Sequence, residues 1–174
     1  MRAQIAAFWG LGGVALLLAS AVYRLTPLAI EALSDKYAWT WYHWVSFALF
    51  TLFMAYAEGY RAFQLGFSPR VAARARYLRG HNNALHAVLA PLFCMAFFHA
   101  PKKRRITSIS VTAGIVILVV LVRLLPQPWR GIIDGSVVVG LTWGLVSLAV
   151  FGYQALFAER FDHSPEVPEE NNKA

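Results

Sequence analysis

Residues 135–158, GSVVVGLTWGLVSLAVFGYQALFA, run for 24 positions without an Asp, Glu, Lys or Arg. A helix rises about 1.5 Å per residue, so roughly 20 residues cover the ~30 Å hydrocarbon core of a bilayer. This stretch therefore predicts a transmembrane helix. Ser136, Gly140 and Gly144 recur every fourth residue along it and form one stripe of small side chains. Such a stripe lets another helix approach closely where water cannot drive association. Packing within the monomer is its expected use; contact with a second copy or a membrane partner is the alternative.

Four more stretches share the pattern: 3–23, 37–57, 82–100 and 106–122. The expected fold is all-α, an integral membrane bundle of five transmembrane helices forming one domain over residues 1–161. A polar tail, 162–174, is expected to be disordered, since it holds prolines, glutamates and asparagines and little to bury. Arg2 ahead of an apolar run, with Ala19-Ser20-Ala21 behind it, imitates a signal peptide. The run closes on Tyr23 and Arg24, a pair suited to a membrane boundary, and favours an uncleaved first helix.

Composition agrees. Hydrophobic residues make up 58% of the chain and charged residues 14%, against about a quarter charged in soluble domains. The net charge of +7 resides between the apolar stretches, where it holds helices against anionic head groups rather than nucleic acid. Cys94 is the single cysteine, which excludes an intrachain disulfide. Tyr37, Trp39, Trp41, Tyr42 and Trp44 crowd the start of the second stretch, as an interfacial aromatic belt does.

Orientation is where the five-span reading strains. With the N-terminus inside, five spans place eight cations on each side, and the positive-inside rule favours neither orientation. The alternative keeps four spans and lets 82–100 re-enter around Pro91. All cations from Arg61 to Arg105 then share a side, twelve against four. Against re-entry, no glycine marks the turn, and proline is tolerated in membrane helices as a kink.

Polar residues inside apolar helices are costly and so become functional candidates. Under five spans, Glu58, Asn82, Asn83, His86, Arg123, Arg130 and Asp134 meet at one surface beside Arg61–Arg79. A net-positive polar pocket there suits a lipid phosphate or another anionic amphiphile. The bland counterpart is anchoring, with Glu58 paired to Arg61 one turn on. No metal-ligand or nucleophile spacing occurs, so no metal and no cofactor is expected. His43 and His99, which five spans place near one surface, are the alternative as axial ligands of a haem. The expected function is a non-catalytic, multi-pass protein of the cell (inner) membrane. It would bind an anionic amphiphile against the lipid bilayer's head groups, or act as an accessory subunit. The alternative is a membrane-embedded enzyme or haem-binding electron carrier using these His and Glu residues.

Overall fold

A computed structural model describes residues 2–80 and 84–167. Its elements are α1 (Arg2–Ala32), α2 (Trp41–Met54), α3 (Ser68–Gly80), α4 (Ala84–Val88), α5 (Ala90–Cys94), α6 (Lys102–Arg123) and α7 (Trp129–Phe157). A π-helical segment, Ala55–Phe67, joins α2 to α3 without a break. No strand occurs among the described residues. Three helices are long and apolar enough to cross a membrane: Gln4–Ala32, Lys102–Arg123 and Trp129–Phe157.

Two elements outrun the apolar stretches that predicted them. α1 continues past Tyr23 through Arg24 and Pro27 to Ala32. The helical path from Trp41 continues past Glu58 and Arg61 to Gly80. Charge ends a hydrophobic window, but it does not end a helix whose backbone bonds remain satisfied. The path begins at Thr40, whose extended backbone (φ −103°, ψ 167°) starts the helix, and whose N–H donates to His43 Nδ1 at 3.2 Å.

Small residues set the packing. α7 runs beside α2 and the π segment in register: Ser136 Oγ lies 3.2 Å from Thr51 Oγ1, Gly140 faces Glu58 and Gly144 faces Phe63. Ser136, Gly140 and Gly144 are all buried, so the stripe is occupied by this chain's own helices. At the other side of α7, Gly135 lies against Ala29 of α1 and Gly152 against Leu11, so α1 and α7 are antiparallel. A Cβ at Gly10 would stand 2.7 Å from Cys94 Sγ, and one at Gly13 would run into the Pro91 ring. Gly10 and Gly13 of α1 thus seat α5.

The described part of the third stretch, 84–100, is not the single helix expected of a crossing. α4 and α5 have five residues each, about 7.5 Å of rise, far short of a bilayer core. Pro91, at the start of α5, has no N–H to extend the preceding turn, and Ala96 (φ 61°) and His99 (φ 49°) then reverse the chain. The segment leaves α3 where Arg79 bonds Leu156, near the end of α7. It delivers the chain to α6 where Arg104 bonds Glu166, just beyond α7. It returns to the end from which it set out.

An arginine-lined cleft as candidate functional site

α3, SPRVAARARYLRG, carries four arginines on a body of alanines. Residues four apart share a helix face, so Arg70 and Arg74 point one way and Arg76 and Arg79 another. The second pair closes α7. Arg76 Nη1 donates to Ala158 O at 2.9 Å and its Nη2 to Glu159 O at 2.7 Å, while Arg79 donates to Leu156 O. These cations meet the carbonyls and the negative dipole end of that helix.

Arg74 is 1% exposed and forms no ion pair among the described residues. Instead its donors reach neutral carbonyls: Nε to Phe93 at 2.6 Å, Nη1 to Pro165 at 3.0 Å, and Nη2 to Phe98 and His99 at 3.0 Å each. Its guanidinium also lies 4.2 Å from the centroid of the Phe93 ring. Burial lowers its pKa to about 10, partly opposed by Glu166, so it stays charged at neutral pH. One side chain therefore ties α3 to the end of α5, to the reversing turn and to the chain beyond α7. Of the stretch expected as a disordered tail, 162–167 come back to the bundle, where Val167 packs on the core, and 168–174 lie outside the described residues.

Beside Arg74 a cleft of about 450 Å³ opens between the π segment, α3, α6 and this returning chain. Its polar wall holds Glu58, Arg61, Arg70, Arg74, Arg104 and Glu166, and its apolar wall includes Leu18, Phe63, Phe67, Val111 and Ile115. Arg104 takes the Glu166 carboxylate in a fork, with Nη2–Oε1 at 2.9 Å and Nε on Oε2. Burial lowers the pKa of Arg70, the neighbouring Arg104 charge lowers it further, and Glu166 raises it. Among the described residues neither Arg61 nor Arg70 has a hydrogen bond or ion pair, so both keep free donors toward the cleft. A second groove, beside Trp143, is lined almost wholly by apolar groups, and its Gln64 Oε1 already accepts from Trp143 Nε1 at 2.7 Å.

The residues expected to converge are dispersed. Arg130 Nε and Asp134 Oδ2 lie 3.5 Å apart at the start of α7, with Arg123 in electrostatic reach, beside the end of α1. Glu58 meets α7 at Gly140 and makes no ion pair with Arg61. His86 packs on Phe93, Phe98 and His99, at the opposite end of α7 from Asp134. Asn82 and Asn83 lie outside the described residues. Of the described members of the expected set, only Glu58 lines the cleft. The reason is that 84–100 is not one continuous helix, so α6 begins at the end of the bundle where α3 finishes.

The same break in the helix separates the histidines proposed for a haem. His43 is 6% exposed, with its ring 5.0 Å from that of Trp129 at the start of α7, whereas His99 stands with Arg74 near the end of α7. They do not face one another. His86 and His99 do, with ring centroids 4.8 Å apart, but they belong to one hairpin rather than to two facing helices.

No family model, curated protein or solved structure matches this chain. The chemistry of the cleft is read from its own residues.

Proposed function

We propose that this is a multi-pass protein of the cell (inner) membrane that binds an anionic amphiphile in the arginine-lined cleft, without catalysis of its own. The polar head meets Arg61, Arg70 and Arg104, and the apolar chain follows Phe63, Phe67, Val111 and Ile115 toward the bilayer. The observation that carries this reading is one cleft with two kinds of lining: guanidiniums, those of Arg61 and Arg70 with free donors, and the apolar side chains of Leu18, Phe63, Phe67, Val111 and Ile115. Arginine forks suit phosphate and carboxylate oxygens, and partly desolvated forks bind them more strongly than exposed ones do.

In the topology we favour, α1, α2 with the π segment, α6 and α7 cross the bilayer, and 84–100 re-enters from the side it left. Arg70–Arg79, Lys102–Arg105 and the chain beyond α7 then share one side. The count of twelve cations against four makes that side cytoplasmic. Arg70 and Arg104 fall near that cytoplasmic side, whereas Glu58, opposite Gly140 near the middle of α7, and Arg61 lie deeper along the second crossing.

The test is lipid retention by the purified protein. Native mass spectrometry in the presence of equal phosphatidylglycerol and phosphatidylcholine should show the anionic lipid retained preferentially. The double variant Arg61→Gln, Arg70→Gln should lose that preference at unchanged melting temperature. Equal retention of both lipids by the unmodified protein would refute the reading.

A further inference from the structure

The chain beyond α7 places a carboxylate inside the cleft. Glu166 is set there by specific contacts: its N–H donates to Ser164 Oγ at 3.2 Å, its backbone carbonyl receives Arg74 Nη1 at 3.3 Å, and Pro165 O receives the same nitrogen. Its φ of 46° lies in the left-handed region, uncommon for a residue with a side chain, and such backbone persists only where surroundings impose it. The result is a carboxylate forked on Arg104 and within electrostatic reach of Arg70.

We propose that Arg70 and Arg104 form a head-group subsite for a phosphate monoester and that Glu166 is its built-in competitor, displaced when the ligand binds. The proposal rests on the amphiphile reading above and specifies its head group. Charge selects the monoester. Four guanidiniums line the cleft against two carboxylates, leaving an excess of two positive charges. A phosphodiester exchanges one negative charge for one when it replaces Glu166, and a tethered group holds the advantage of high local concentration. A monoester brings about two charges and three acceptor oxygens, enough for Arg104 and for the free donors of Arg70 together.

The experiment uses the full chain in detergent, titrated with dioleoyl phosphatidate and, separately, with glycerol 3-phosphate. Glu166→Gln keeps the backbone bonds to Arg74 and removes only the competing charge, and it should tighten phosphatidate binding about tenfold. Arg104→Gln should weaken it at least tenfold. Phosphatidylglycerol, a diester, should bind more weakly than phosphatidate to the unmodified protein. Phosphatidate affinity unchanged or weakened by Glu166→Gln, with the unmodified protein still preferring anionic lipid, would overturn the competitor alone. Absence of anionic preference in both proteins would overturn the amphiphile reading with it. Glycerol 3-phosphate bound as tightly as phosphatidate, and tightened by the same substitution, would support the subsite and Glu166's competition but overturn a membrane source for the ligand.

Discussion

Replacing Arg74 by Met removes the side chain that joins three separate segments while keeping most of its length. Four bonds of 2.6–3.0 Å from a charged donor group end on the carbonyls of Phe93, Pro165, Phe98 and His99. Hydrogen bonds to charged groups contribute roughly 1.5–3 kcal/mol each, and a carbonyl left buried without a donor costs about 1–3 kcal/mol. The contact with Phe93 adds about 0.5–2 kcal/mol. Opposing these, burying a guanidinium costs several kcal/mol that methionine avoids, and water reaches the freed carbonyls near the cleft. The net expected loss is about 3–5 kcal/mol. Arg74→Lys keeps the charge but offers a single point of attachment, and it should recover less than half of that loss. Thermal unfolding in detergent, followed by tryptophan fluorescence, measures the cost. Trypsin cleavage at Lys102 and Lys103 reports whether the reversing turn has loosened. A methionine variant within about 1 kcal/mol of the unmodified protein, with unchanged cleavage, would refute Arg74 as the tie between these segments.

Topology is open to cysteine labelling in a Cys94→Ser background. Gly80→Cys and Lys102→Cys should react from one side of the membrane and Lys36→Cys from the other; reaction of the first two from opposite sides would restore a third crossing at 82–100. The glycine stripe is tested by bulk. A Cβ at Gly144 would stand 2.6 Å from Phe63, so Gly144→Leu should cost at least about 1–3 kcal/mol in detergent melting. Gly12, with nothing within 4 Å of its would-be Cβ, should accept Ala at no loss and gain up to about 1 kcal/mol in helix propensity.

The crossings were legible where one segment alone decides them. Residues 106–122 lie inside α6, and 135–158 lie inside α7 except for Ala158, its C-cap, because an unbroken apolar run in lipid has few alternatives to helix. Pro91 and the uneven count of cations both pointed to re-entry. The missing glycine argued the other way, because the left-handed turn at Ala96 and His99 lacks the residue that adopts it freely. The turn's carbonyls at Phe98 and His99 are instead held by Arg74, 24 and 25 positions earlier in the chain. No local reading contains that interaction. The candidate site failed through the same gap. Reading 82–100 as one continuous helix set Arg123, Arg130 and Asp134 beside Glu58 and placed Arg104 elsewhere, whereas the structure lines the cleft with Glu58 and Arg104 and holds Arg130 and Asp134 at the start of α7. The face shared by Arg70 and Arg74, four residues apart, was visible in the sequence and was the better signal.

Arg74 separates two properties that usually travel together. Its bonding capacity is saturated by groups that carry no net charge, so it can neither grasp a ligand nor be neutralised by the carbonyls it holds. Its unit of charge therefore still contributes to the potential in the cleft. At an effective dielectric constant of about 20, a negative charge roughly 6 Å away would be attracted by about 3 kcal/mol before screening and desolvation are counted. A neutral substitute that restored the packing would thus leave the fold intact and still change the field. In the proposed complex, recognition would be divided between side chains that touch the ligand and one that acts only at a distance.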